Sequence, residues 1–436
     1  MYEYVNRLLL YGDMGEDEIL RRMSNIFYDW KEQRAAKTVL IRRIYDEIKK
    51  ILDIGTTYGF DGNLWQNYLT FFMVNNENSF SLTCERGPLQ EGSVNKIALA
   101  DMEIFRKLFC FDFSEIERDL GISCFSEITD YRAIEKREQV YQKDVSLKIR
   151  NLSQKLSLTE SAGEMLNVIT DYYKNDGLGI FGFYRAFRIK ENNGDIDFIP
   201  VSNADKSRLS DLVGYESQKK KLTDNTEAFL LGKSANNVLL YGDSGTGKSS
   251  SVKALMNEYG DRGLRLIEIY KYQFKLLSPL ISRIKKRNYR FIIYMDDLSF
   301  EAEEVEYKFL KAVMEGGVET KPDNVLLYAT SNRRNLIRET WNDRNDMEIQ
   351  NDIHRSDTME EKLSLAARFG VLIGYMRPDR EEFYKIVEEL AKRHPEIKLS
   401  GDELKEAARL WERRHHGVSG RAAQQFINDL MGKMSF

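Results

Sequence analysis

The stretch Asn237–Tyr259 reads NVLLYGDSGTGKSSSVKALMNEY, and its reading decides the fold. An apolar run, Val238–Tyr241, leads into G-x-x-x-x-G-K-S, spelled by Gly242, Asp243, Ser244, Gly245, Thr246, Gly247, Lys248 and Ser249. Glycines let such a loop curl so that successive backbone N–H groups point inward at phosphate oxygens. A helix starting near Lys248 adds the positive end of its dipole. The spacing assigns Asp243–Ser250 to the phosphates, with Lys248 reaching the β- and γ-phosphates and the Ser249 hydroxyl a ligand for Mg²⁺. An apolar strand before the loop and an amphipathic helix after it are the context this motif requires.

Working outward, three further apolar runs follow: LRLIEIY, RFIIYMDD and NVLLYATSN. Apolar on both faces, they read as parallel strands covered by helices. The second ends in Asp296 and Asp297, which a buried strand delivers to its carboxyl edge, where such sheets meet a ligand. Asp296 is assigned to Mg²⁺ and Asp297 to the attacking water, whose orientation dominates phosphoryl transfer. The third run ends in Asn332, an amide placed to bond the same water or the γ-phosphate.

The chain has 436 residues, enough for two or three domains. Residues 1 to about 175 carry helical spacing in Asp17–Tyr28, Val39–Leu52, Ala98–Phe109 and Ala162–Tyr173, with no catalytic constellation. Between Phe183 and Val201 the texture changes to two short strand-like runs around Asn193-Gly194, a strong two-residue turn. The expected division is a helical adaptor at 1–182, a hairpin junction at 183–204, an α/β nucleotide-binding core at 205–376 and a helical lid at 377–436.

Composition excludes several classes. The formal net charge is −4, so bulk charge does not draw the chain to nucleic acid or acidic membranes. Cys84, Cys110 and Cys124 form no C-x-x-C, and four histidines give no zinc spacing. No signal peptide and no run of about 18 apolar residues is evident, so a cytoplasmic protein is expected. A regulatory GTPase would carry Asn-Lys-x-Asp after the acidic strand, and a transporter ATPase an LSGGQ-type signature; neither is present.

Phosphate loop, Asp-Asp strand and Asn-ended strand, in this order, resemble the AAA+ ATPase superfamily over roughly residues 205–432. Within it, LSDLVGYESQKKKL, DDLSFEAEEVEYKFLKAVMEGG, PDNVLLYATSNRRNL, EEKLSLAARFG and SGRAAQQF resemble a bacterial family of ATP-binding proteins carrying a domain-of-unknown-function label. The resemblance implies an α/β P-loop (AAA+) parallel-sheet core with a helical lid, ATP and Mg²⁺ as cofactors, and ATP hydrolysis. It implies that Val213 and Gly214 pack against adenine. It implies that Arg421 senses the γ-phosphate from within the subunit, and that Arg368 reaches a neighbour's γ-phosphate. The superfamily usually has an acid before that arginine, where this chain has Ala367, so a core-edge salt bridge stays open for Arg368, and Arg333 and Arg334 are rival fingers. An arginine acting in trans implies a homo-oligomer of about six subunits.

The client is less legible. Lys271–Arg290, KYQFKLLSPLISRIKKRNYR, has seven Lys/Arg, no acid, and Tyr272, Phe274 and Tyr289 between them. It reads either as a surface for a nucleic-acid backbone with base stacking or as a helix with a solvated basic face. A protein client, a DNA-associated initiator or helicase-loader role, and a nucleotide-switched scaffold with little turnover all stay open.

Overall fold

The computed structural model describes residues 1–87, 92–133, 143–192, 194–201, 205–301, 304–316, 322–334, 336, 365–414 and 417–434. The chain divides into two compact units, Met1–Phe183 and Tyr184–Phe436.

The first unit is built of helices. Those at Ile19–Lys31, Lys37–Tyr58, Ser93–Phe109 and Ala162–Asn175 overlie the four periodic segments of the sequence and extend some of them by a turn. The helix Leu64–Asn75 forms the centre, burying Leu64, Trp65, Tyr68, Leu69, Phe72, Met73 and Val74. Such all-round burial belongs to an element enclosed by others. Its polar groups are satisfied inside: Trp65 Nε1 donates to Leu108 O at 2.8 Å, and Met73 O accepts from the Tyr173 hydroxyl at 2.8 Å. The Asp101 carboxylate accepts the backbone N–H groups of Leu9, Leu10 and Tyr11, pinning the start of the chain to the bundle. Among the described residues, no helix is long and apolar enough to cross a membrane.

The second unit is organised by one seven-stranded sheet. Its strands are β1 Ala186–Asn192, β2 Asp195–Pro200, β3 Val238–Gly242, β4 Leu264–Glu268, β5 Arg290–Met295, β6 Val325–Ser331 and β7 Val371–Tyr375. Their order is β2-β1-β4-β5-β6-β3-β7, and every pairing is parallel except β1 with β2. All seven residues of β6 are buried, as a central strand covered on both faces requires.

The hairpin read as a junction does more than connect. Gly194 takes φ +84°, the left-handed backbone that the turn needs. Strand β1 then pairs in parallel with β4, so the hairpin extends the edge of the sheet. The backbone of Ala186–Arg188 meets β4, and Phe187 and Ile189 on one face and Ala186 on the other are all buried.

Beyond β7 come the helices Arg380–Ala391, Gly401–Arg414 and Gly420–Met434, packed on their own core of Phe383, Val387, Leu404, Ala408, Phe426 and Ile427. The first is capped reciprocally at its N-terminus: Asp379 Oδ1 accepts from Glu382 N at 2.8 Å, and Glu382 Oε2 accepts from Asp379 N at 3.1 Å.

Candidate functional site

Strand order places the chemistry. β6 lies between β3 and β5, so the ends of these three strands open side by side at one edge of the sheet. From β3 comes the loop Asp243–Gly247 and the helix Lys248–Tyr259. From β5 come Asp296 and Asp297, and from β6 come Thr330 and Asn332.

The glycines of the loop meet different demands. At Gly242, with φ +130°, an added Cβ would stand 2.1 Å from the Tyr375 carbonyl oxygen, so only glycine fits. At Gly245, with φ +78°, it would stand 3.0 Å from Ser419 Oγ and 3.2 Å from Arg421 Cβ, because the last lid helix begins against the loop. That contact is fastened by the Arg421 N–H, which donates to Gly245 O at 3.1 Å.

Lys248 is buried, and its ammonium has three protein partners. It donates to Gly242 O at 2.8 Å, Asp243 O at 2.6 Å and Asn332 Oδ1 at 3.1 Å. Burial lowers its pKa, opposed by Asp297, Asp243 and Asp296 and reinforced by repulsion from Arg421. Asn332 is oriented by two opposite demands: its Oδ1 accepts from Lys248 while its Nδ2 donates to Asp297 Oδ1 at 2.8 Å. Asp297 takes the left-handed backbone, φ +50°, and its N–H donates to Thr330 Oγ1 at 3.0 Å. A non-glycine residue held there is under strain, a condition concentrated at functional sites.

Asp296 Oδ1 accepts from the Ser249 hydroxyl at 2.6 Å and from the Thr330 hydroxyl at 2.6 Å. Burial pushes the Asp296 carboxyl up, but these hydrogen bonds and nearby Lys253 outweigh it and hold it below the usual carboxylate range. Lys253 Nζ stands 3.7 Å from the second oxygen. An ionised carboxylate and a hydroxyl in contact at the mouth of a phosphate loop are oxygen donors of the type Mg²⁺ takes together with waters and phosphate. The residues fit that ion.

A cavity of about 600 Å³ opens over these groups. Ser244 through Ser251, Asp296, Asp297, Thr330 and Asn332 line one part, with Leu212, Val213, Tyr215, Ile386 and Leu390 giving apolar wall and Arg393 and Arg421 cationic wall. The size and mixed lining suit a nucleotide. Arg393 donates to Asp211 O at 2.9 Å and Ser210 O at 3.1 Å, fixing the approach to Leu212 against the lid.

Most residues expected from the sequence converge here: Val213, Ser244, Gly245, Thr246, Gly247, Lys248, Ser249, Ser250, Asp296, Asp297, Asn332 and Arg421 all line the cavity. Three do not. Gly214 lies beside lining residues with φ +80°. Asp243 turns its carboxylate away to Arg377, whose N–H donates to Asp243 Oδ2 at 3.0 Å. Arg368 is ion-paired with Glu315 of the same chain. Arg333 is exposed, and the Arg334 guanidinium lies 5.8 Å from the Tyr241 ring centroid. Sequence reasoning missed Thr330, although its place two residues before Asn332 puts both on one strand face. It also missed Arg393 and Tyr375, which no local pattern marks.

The basic stretch is less free than its composition suggests. Lys271 pairs with Glu304, Lys275 with Glu191 and Arg283 with Asp195, the last two acids lying on the β1–β2 hairpin. Phe274 and Tyr289 are buried in the core, leaving Tyr272 as the exposed aromatic of the three.

Over 80 residues the chain is 39% identical to the replication factor C large subunit of Staphylothermus marinus, which is 18% of this chain and 18% of that protein. Among solved structures, a mutant RuvB of Thermotoga maritima aligns with TM-score 0.37 and 15% identity, over 52% of this chain and 66% of that one. The Thermotoga maritima RuvB Holliday junction branch migration motor aligns with TM-score 0.32 and 14% identity, over 52% and 72%. The chain therefore spans less than a fifth of that curated relative and about two thirds of the first structure. The family described as "Protein of unknown function (DUF815)" matches residues 183–434, more than half of the sequence. The chain, with its phosphate loop, Asp-Asp strand, Asn-ended strand and helical lid, belongs to the DUF815 family.

Proposed function

We propose that the protein is a magnesium-dependent ATP hydrolase that works as an oligomer and uses turnover to remodel a macromolecular client. The observation that carries this reading is the joined set Lys248–Asn332–Asp297 and Ser249–Asp296–Thr330 at the floor of a nucleotide-sized cavity.

Lys248 and Arg421 bring two cations to one end of the cavity, and a polyphosphate satisfies both. The backbone N–H groups of Ser244–Ser249 and the helix start at Lys248 bind phosphate oxygens. The apolar wall of Leu212, Val213, Ile386 and Leu390 receives the base. Ser249 and Asp296 would hold Mg²⁺, whose contribution is to neutralise charge on the phosphates. Asp297 orients the attacking water and accepts its proton, and Asn332 fixes the Asp297 carboxylate while meeting the γ-phosphate. Arg421 responds to the γ-phosphate from the lid. Arg368, once released from Glu315, acts on a neighbouring subunit in a ring-like assembly of about six, as the resemblance to AAA+ proteins implies.

ATP turnover measured against protein concentration tests the reading. A rate per subunit that climbs with concentration and vanishes in Lys248→Ala is the expected result. Tight ATP binding with no turnover at any concentration would exclude hydrolysis and leave a nucleotide-switched scaffold.

A further inference from the structure

Three residues, Tyr375–Arg377, carry the chain from β7 to the lid, and the phosphate loop grips them. The Asp243 N–H donates to Tyr375 O at 3.0 Å. Gly242 presses so close that a single added carbon would stand 2.1 Å from that same oxygen. The Arg377 N–H donates to Asp243 Oδ2 at 3.0 Å, and Arg377 Nε lies 3.5 Å from Asp243 Oδ1. On the other side, Tyr215, which lines the cavity, donates its hydroxyl to Met376 O at 2.8 Å and stacks on Tyr375 with centroids 5.0 Å apart. Next comes Pro378, whose ring fixes φ, and then Asp379, the cap of the first lid helix. No slack segment separates the phosphate loop from that helix.

Charge adds a second argument. A free carboxylate at position 243, at the mouth of a phosphate cradle, would repel the polyphosphate. Turned onto Arg377, it leaves the cavity lining and takes the lid connection as its partner.

We propose that Asp243 is a positioning residue that couples the phosphate loop to the lid through Arg377, so that nucleotide occupancy sets the lid and with it Arg421. This rests on the nucleotide reading of the cavity. Asp243 is outside the binding contacts themselves; it acts on the orientation of the lid. A change in the loop moves the Asp243 carboxylate, which moves Arg377, and three residues later the helix Arg380–Ala391.

Two measurements on the full chain test the coupling: affinity for fluorescent mant-ATP, and hydrogen exchange of lid amides 380–391 and 420–434 with and without ATP. Asp243→Ala removes both contacts, whereas Asp243→Asn keeps an acceptor for the Arg377 N–H and loses the charge. In the wild type, ATP should slow lid exchange. Asp243→Ala should bind mant-ATP within about fivefold of wild type yet lose most of the ATP-induced protection, with kcat down about tenfold, in the range of ordinary coupling energies. Asp243→Asn should fall between the two. Wild-type protection in Asp243→Ala would overturn the coupling. So would loss of mant-ATP binding in a variant whose circular dichroism is native, since Asp243 would then be a binding group. A wild-type protein that binds no mant-ATP would instead remove the nucleotide reading on which the coupling stands.

Discussion

Two glycines of the same unit separate steric necessity from ordinary backbone preference. Gly263 has φ +86° and open space around it, so Gly263→Ala carries only the left-handed cost, roughly 1–2 kcal/mol. Gly242 has φ +130° and, in addition, a Cβ there would stand 2.1 Å from Tyr375 O and 2.7 Å from Tyr375 C. Those neighbours are backbone atoms of the buried Tyr375 on β7, the strand paired with β3 itself, so no side-chain rotation relieves the clash. Backbone strain of about 1–3 kcal/mol and overpacking of about 1–3 kcal/mol then add, giving roughly 2–6 kcal/mol for Gly242→Ala. Urea unfolding followed by circular dichroism measures both variants. The fluorescence of Trp411, which lies on the second lid helix, reports on that helix, although Trp30, Trp65 and Trp341 also contribute. Gly242→Ala should lower the midpoint clearly more than Gly263→Ala does, and should weaken mant-ATP binding, which Gly263→Ala leaves intact. Equal midpoints would refute the claim that the loop and the β7 connection are in rigid backbone contact.

Four further outcomes follow from the site. Lys248→Ala should weaken mant-ATP binding by ~100-fold or more in equilibrium titration, since a charge-assisted bond to phosphate and the ties to Gly242, Asp243 and Asn332 go together. Asp297→Asn should keep binding while steady-state turnover falls by about 10²–10⁴, the usual range for a lost general base; normal turnover would remove Asp297 from its role. Mixing Asp297→Asn with Arg368→Ala should restore part of the turnover if Arg368 acts in trans, and no restoration at any mixing ratio would leave it a structural partner of Glu315. Asp296 has a folded pKa below its unfolded value, so its ionisation stabilises the fold above about pH 4 and that contribution is lost as pH falls through the depressed value. The acid limb of a pH–stability curve should therefore flatten in Asp296→Asn, and an unchanged limb would contradict the hydrogen bonding to Ser249 and Thr330.

What could be read in advance divides along a physical line. The loop Gly242–Ser249 and the pair Asp296–Asp297 are local: each is one strand end whose residues act together wherever the strand lies. Their convergence depends only on β3 and β5 both flanking β6, which strands apolar on both faces allow. Groups recruited over distance were hidden. Tyr375 and Arg377 reach the loop because β7 pairs beside β3, and nothing in VLIGYMR marks them as loop partners. Arg368 was legible as an arginine, but its partner Glu315 lies at the end of a separate helix. The pairing of the basic stretch was hidden for the same reason, since the acids that pair with Lys275 and Arg283 sit on a hairpin far away in sequence.

The same distinction bears on how the site changes when it fills. Lys248 already has three acceptors, and its longest bond, 3.1 Å, is the one to Asn332. On the proposed reading, an arriving γ-phosphate would compete for that donor first, because the other two acceptors are carbonyls of the loop that would cradle it. Losing Lys248 leaves the Asn332 amide held by Asp297 alone, with its oxygen free to accept from a water. In that proposal, phosphate binding and water positioning are linked through one amide. Asn332→Asp separates them: a carboxylate would hold Lys248 more tightly, oppose the phosphate and cease donating to Asp297. Such a variant should bind ATP more weakly and turn it over more slowly, whereas Asn332→Ala should lose turnover with little loss of binding. Equal defects in both variants would show that Asn332 serves one partner only.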